Sequence, residues 1–283
     1  MKIGVLLESF KKPFAESVKA AARLGLSGVQ IYAKDGAVYD GMSNAEIAEV
    51  KRVLNGEGLE ISALCGDFGC RMFYFPDEMR AEIEREKRVL ELAKKLGTDI
   101  VTTHIGVVPE DFSSREFETM HGVCKELADF ADSVGGHFAV ETGPEPSERL
   151  KRFLDTLDSR GVGVNLDPAN LVMVIGENPA DAVYNLKDYI VHTHAKDGKM
   201  IKKTDPRRIY IPAISYLDPV DYSQYFEELP LGKGDVPWNE YIAALMNIGY
   251  DGYFTIEREV GDDPAADIAV ATTFLLNIFR YKI

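Results

Sequence analysis

Two imidazoles and an ammonium recur at alternate positions in the stretch IVHTHAKD, as His192, His194 and Lys196. In an extended strand that spacing sends all three side chains to one face. Placed just where the strand ends, they suggest a polar site; a buried histidine followed by a charged loop would look the same in isolation. The chain supplies further cases. DIVTTHIG ends at His104, HFAVETG at Glu141, GVGVNLDPANL at Asp167 with Asn170 close behind, and GYFTIERE at Glu257. Polar chemistry thus recurs at strand ends, and the elements decide whether those ends meet.

Read from the N-terminus, apolar runs of strand length alternate with helical spacing. KIGVLLES, GVQIYA and LEISALCG are the first three strands, separated by helices over Pro13–Leu24 and about Asn44–Leu54. Asp77 reads as the N-cap of a long helix ending near Gly97, and Ser113 with Glu116 as a capping box for the helix that stops at Gly135–Gly136. Asn178–Pro179 pairs a cap with proline at the first helical position, and Asp263–Pro264 opens a last, unusually apolar helix. Residues 198–230 read as irregular, with Lys199, Lys202, Lys203, Arg207 and Arg208 followed by Tyr210, Tyr216, Tyr222 and Tyr225. That segment is either a solvated insertion or a lid.

Eight strands each followed by a helix, in 283 residues, specify a single (β/α)8 barrel over residues 1–283 with an insertion after strand seven. A doubly wound sheet would need a phosphate fingerprint, and Gly232-Lys-Gly234 is incomplete and follows no strand directly. The barrel gathers strand ends on one rim, so Glu141, Asp167, His194 and Glu257 converge. Carboxylates so close repel unless a cation lies between them. One nitrogen and three oxygens suit one divalent ion, Mn²⁺ first, with Mg²⁺, Co²⁺ or Zn²⁺ compatible. An internal ion-pair network with Lys196 or Arg258 is the competing explanation.

The motifs VET (140–142), LDPAN (166–170), HTHAKD (192–197), PLGKGDVPW (230–238) and GYDGYFTIERE (249–259) resemble the xylose-isomerase-like sugar epimerase and isomerase superfamily. That group contains ketose 3-epimerases, inosose dehydratases and endonucleases of the endonuclease IV type. The resemblance implies that Glu141, Asp167, His194 and Glu257 are metal ligands and that His104 lies near the substrate. It further implies a metal-stabilised enediolate, with Glu141 and Glu257 as the two acid/bases of an epimerase or isomerase acting on a ketose or ketose phosphate. Expulsion of a β-hydroxyl from the same enediolate would make a dehydratase of a keto-cyclitol or keto-sugar acid; a non-catalytic sugar- or metal-binding barrel is the third reading. Asn170 stands where nuclease members carry a further zinc-binding His, and residues 198–234 contain no His, so a three-zinc site cannot be assembled. Ketohexose 3-epimerases also place a His at that position and an Arg after the strand-seven His; here Asn170, Lys196 and Lys199 stand there, and Asn170 and Lys196 become candidate substrate contacts alongside His104.

The net charge of −14 disfavours nucleic acid and anionic membranes as partners and leaves a small sugar or sugar phosphate. Three cysteines without a CxxC argue for a reducing, cytoplasmic setting. Met1 leads directly into a strand rather than a signal peptide, and no apolar run is long enough for a bilayer. The apolar last helix suits either a homo-oligomer contact or cover for the barrel.

Overall fold

A computed structural model describes residues 1–211 and 220–282; Tyr216 of the insertion lies outside them. Its strands are β1 Lys2–Leu6, β2 Gly28–Tyr32, β3 Glu60–Cys65, β4 Ile100–Thr103, β5 His137–Glu141, β6 Val162–Leu166, β7 Ile190–Ala195, β8 Asp197–Met200, β9 Phe226–Leu229 and β10 Tyr253–Ile256. Eight of them close a barrel in the order β1-β10-β7-β6-β5-β4-β3-β2, every neighbouring pair parallel. The fold is therefore the (β/α)8 barrel expected. Strands buried on both faces, such as β6 (VGVNL), need apolar or internally satisfied side chains throughout, which is why these runs lack clean alternation.

The insertion differs from the irregular segment expected. Strands β8 and β9 pair antiparallel, Asp197 opposite Leu229 and Met200 opposite Phe226. A short helix at Arg207–Tyr210 lies within it, and a 3-10 turn at Tyr222–Gln224 precedes β9. Neither DGKM nor FEEL carries the period-two pattern that marks a half-buried strand, so the hairpin left no signal.

Several boundaries move for local reasons. The first strand stops at Leu6 and turns through a 3-10 segment, Leu7–Phe10. Asp77 caps nothing; the long helix begins at Arg80, with Met79 at its cap position. Ser114, not Ser113, caps Arg115–Ser133 by accepting from Phe117 N, because Ser113 bonds to Asp111 instead. A complete capping box exists two helices earlier, between Ser43 and Glu46. The last helix, Pro264–Lys282, buries Ile268, Ala271, Leu275 and Phe279 and leaves Val270 and Leu276 exposed, so one face covers the barrel. No helix among the described residues is long and apolar enough to cross a membrane.

The helix Arg80–Leu96 carries one uncompensated polar group into the core. Glu86 is fully buried against Gly66, and neither carboxylate oxygen has a hydrogen-bond partner. Burial, helped by Asp67, pushes its carboxyl well above the ordinary 4.5 and so favours the neutral acid. A raised folded value means its proton-linked stability is full below about pH 4.5 and is lost as pH rises towards the folded value. Glu86→Met is expected to stabilise the protein by about 1–3 kcal/mol at pH 8. The gain should shrink towards pH 4, and urea unfolding at the two pH values measures it. A pH-independent difference would show that Glu86 is not protonated in the fold.

Candidate metal centre

Register and turn geometry assemble the centre at the C-terminal rim. Glu141 ends β5, Glu257 follows β10, and His194 lies on β7 opposite Thr255. Asp167 follows β6 directly and caps the helical turn Pro168–Asn170, its Oδ1 accepting from Ala169 N (2.7 Å) and Asn170 N (3.0 Å). Its other oxygen is thereby aimed inward. Ligand atoms of Glu141, Asp167, His194 and Glu257 all lie within 4.8 Å of one another, and all four residues are buried.

His194 Nδ1 is the hub: Glu257 Oε2 lies at 3.3 Å, Asp167 Oδ2 at 3.4 Å and Glu141 Oε1 at 3.6 Å. One ring nitrogen cannot donate to three acceptors, and buried Asp167 Oδ2 has no hydrogen bond at all. Donors held about 2.1 Å from one ion stand about 3.0–3.4 Å apart in octahedral or tetrahedral arrangement, close to this spacing. The residues therefore fit a divalent cation. Electrostatics agree. Burial pulls His194 down, but Glu257 and Glu141 overcome it and hold the imidazole well above its usual range. Burial likewise opposes ionisation of Glu141 and Glu257, yet the neighbouring cations leave Glu141 well below the usual carboxylate range and Glu257 at about 2. Asp167 moves the other way, raised chiefly by burial. The cluster is short of positive charge.

The three expected substrate contacts sit around this centre in different ways. His104 lies between two carboxylates, Nδ1 3.0 Å from Asp67 Oδ2 and Nε2 3.3 Å from Glu141 Oε1, with a third of its side chain exposed. Asn170 donates to Glu141 Oε1 (3.1 Å) and to the Thr142 carbonyl (3.3 Å). Lys196 is buried, bonded to Glu257 Oε2 (3.0 Å) and to Glu259, with Glu228 of β9 at 3.9 Å. That last contact ties the inserted hairpin to the centre. Arg258, the other cation considered for an ion-pair network, is turned away to Glu228 and Asp267.

The insertion also reaches the rim. Tyr210 faces His104 with ring centroids 6.0 Å apart, and its carbonyl accepts from Cys70 Sγ at 3.5 Å. Gly143 makes the approach feasible: a Cβ there would lie 2.3 Å from the Tyr210 hydroxyl and 2.5 Å from Asn170 Cβ, and its φ of +146° suits glycine. Two of the insertion's basic residues are paired within it, Lys199 with Glu227 and Arg207 with Asp205.

Three residues at or beside the centre have no counterpart among the sequence candidates, Gln30, Asp67 and Asn165, while Tyr210 is singled out only as part of the insertion. Asn165 lies two residues before Asp167, so strand alternation could have placed it on the same face. Its Nδ2 donates to Glu141 Oε2 at 3.0 Å, while its Oδ1 accepts from His192 Nδ1 at 2.8 Å. His192 Nε2 in turn accepts from Thr255, which fits a neutral ring that burial and His194 lower to about 3. Asp67 lies two residues beyond β3, close to the place Asp167 takes after β6, and the rule that found one applied to the other. Gln30 was a lone amide in GVQIY, and nothing local singled it out.

A parallel eight-stranded barrel with a carboxylate–imidazole cluster at its C-terminal rim defines a class of metal-binding TIM barrels. The family profile described as xylose isomerase-like TIM barrel matches residues 18–277, and the chain belongs to that family. The chain spans about half the length of the curated relatives it matches first. Among them, an inosose dehydratase of Bacillus anthracis is 28% identical over 179 residues, 61% of this chain and 53% of that protein. A xylose isomerase domain protein from Planctomyces limnophilus superposes with a TM-score of 0.78 at 23% identity, covering 99% of this chain and 97% of that one. A D-tagatose 3-epimerase-like protein superposes at 0.73 and 21% identity, covering both chains completely. At such identities these structures establish the fold.

Proposed function

We propose that the protein is a metal-dependent epimerase or isomerase of a ketose or ketose phosphate, using Glu141 and Glu257 as its two acid/bases. The observation that carries this reading is the placement of two glutamates, one ending β5 and one following β10, each with an oxygen within 3.6 Å of His194 Nδ1 in one buried cluster. Glu141, Asp167, His194 and Glu257 would hold the ion, and Mn²⁺ suits the oxygen-rich set best. Such an ion polarises a substrate carbonyl and acidifies the adjacent carbon.

The chain's own groups divide the remaining work. Glu257 Oε2 is committed to Lys196, whereas its Oε1 carries no hydrogen bond among the described residues and is the better placed to take a proton. Glu141 has both oxygens engaged by amides, and His104 Nε2 beside it can hand on a proton to the opposite face of the sugar. Tyr210, facing His104 with ring centroids 6.0 Å apart, covers one side of the mouth, so the insertion brings an aromatic ring to the site.

Metal analysis after dialysis against Mn²⁺ should give one equivalent per chain, with His194→Ala lowering it severalfold. A panel of ketoses and their phosphates in D₂O should show deuterium entering beside the carbonyl, read by mass spectrometry. No metal and no exchange on any sugar would leave a non-catalytic barrel.

One observation favours dehydration as the second reading. Lys196, buried against Glu257, is a cation able to protonate a departing hydroxyl, and the inosose dehydratase relative is named for such a reaction. Appearance of an ultraviolet-absorbing enone or diketone in place of an epimer would put that reading first.

A further inference from the structure

A histidine that binds a metal through Nδ1 must keep its proton on Nε2, and something must make that tautomer the stable one. In this barrel the partner is on a strand far from the ligands in sequence. His194 Nε2 lies 2.8 Å from Gln30 Oε1, and Gln30, on β2, is 1% exposed. The Gln30 amide is itself held: its Nε2 donates to Thr102 Oγ1 of β4 at 2.8 Å, and the Thr102 hydroxyl reaches the Leu64 carbonyl of β3 at 3.5 Å. This arrangement leaves the Gln30 oxygen, not its nitrogen, facing the imidazole. Asn165 Nδ2 also lies near the ring, 3.2 Å from Nε2 and 3.5 Å from Nδ1. It is a donor whose better acceptor is Glu141 Oε2, so it cannot fix a protonated Nε2.

We infer that Gln30 is a positioning residue that selects the Nε2–H tautomer of His194 and so presents the Nδ1 lone pair to the cation. Three barrel strands that contribute no ligand, β2, β3 and β4, thereby act on the centre through one hydrogen-bonded line. Were the amide reversed, its NH₂ would face Nε2 and drive the proton onto Nδ1, into the space the ion needs. The polarity of one buried amide thus decides whether the nitrogen facing three carboxylates is a ligand or a blocked position. The inference rests on the metal-centre reading above, and the two fail in different ways.

The test is Mn²⁺ and Zn²⁺ affinity by equilibrium dialysis of the whole protein, for wild type, Gln30→Met, Gln30→Glu and Thr102→Val. Gln30→Met keeps the volume and removes the acceptor; its affinity should fall about 10- to 100-fold. Gln30→Glu restores an acceptor and should recover affinity to within a few-fold of wild type, which a packing role for Gln30 would not produce. Thr102→Val, nearly isosteric, frees the amide to reverse and should show a smaller loss in the same direction. In the Zn²⁺ form of wild type, ¹⁵N NMR should place the ring proton of His194 on Nε2. Wild-type affinity in Gln30→Met, or a ring proton on Nδ1, overturns the inference while leaving the centre intact. If Gln30→Met fails to fold, Thr102→Val and the ¹⁵N assignment decide alone. Absence of metal binding in wild type would instead overturn the centre itself.

Discussion

Glu257→Gln is expected to lower kcat about 10³-fold while the protein keeps most of its metal. Alanine would confuse loss of a ligand with loss of a base, whereas Gln still offers an oxygen and cannot accept a proton. The surroundings favour this position over its counterpart. Glu257 Oε1 has no hydrogen-bond partner among the described residues, so a Gln NH₂ can turn there while the oxygen stays towards Lys196, which also keeps Glu259. At Glu141 both oxygens accept from Asn165 and Asn170, so a Gln NH₂ must confront another amide donor. Glu141→Gln should therefore lose metal as well as turnover. Steady-state rates beside metal content separate the two. Near-normal turnover in Glu257→Gln would remove it from the acid/base pair and favour a single-base isomerase or a dehydratase.

Asp197→Ala should produce the largest loss of stability, about 3 kcal/mol or more. Asp197 is fully buried and accepts four hydrogen bonds: from Gly198 N (2.8 Å), Gly232 N (2.8 Å), Val236 N (3.2 Å) and Trp238 Nε1 (2.9 Å). Removing the carboxylate leaves four donors unsatisfied, two of them on the loop that leads into the helix Trp238–Asn247 and one on that helix's first residue. For a chain of this size the melting temperature should drop by roughly 10 °C. Asp197→Asn, with one acceptor oxygen instead of two, should fall between the variants. Gly234→Ala should weaken the same contact, since a Cβ there would lie 2.2 Å from Asp197 Oδ1. A melting temperature for Asp197→Ala within about 2 °C of wild type would show that water replaces the carboxylate without penalty. The arrangement also explains the glycine pair at 232 and 234: Gly232 N donates to the chain's own carboxylate, and Gly234 lets the backbone pass against it.

The barrel was legible because its strands are short apolar runs separated by capped helices, and because charge at several strand ends makes sense only when those ends meet. Glu141, Asp167, His194 and Glu257 each sit at such an end, so position along a strand located them before any contact was known. Gln30 and Asn165 lie inside strands, where an amide is distinctive only after its neighbours across the sheet are fixed. Tyr210 comes from the insertion, whose short strands carry no periodicity and whose path depends on Cys70 and Gly143, both distant in sequence. The cap of Arg115–Ser133 moved by one residue because Ser113 is held by Asp111 and leaves Ser114 to meet the helix.

The pairing of Asp197 with Leu229 has a consequence for how such enzymes diversify. Because β8 and β9 zip together at their base, the barrel sees the insertion's two ends as adjacent points about 5 Å apart, as though a tight turn joined them. Chain length between two such fixed points carries little thermodynamic cost, since doubling a loop adds only about 0.6 kcal/mol of closure entropy. The hairpin stem is thus a cassette junction. Segments bearing a different residue in place of Tyr210 could be exchanged through it without re-optimising the scaffold below, and substrate preference could drift while the metal cluster stays unchanged.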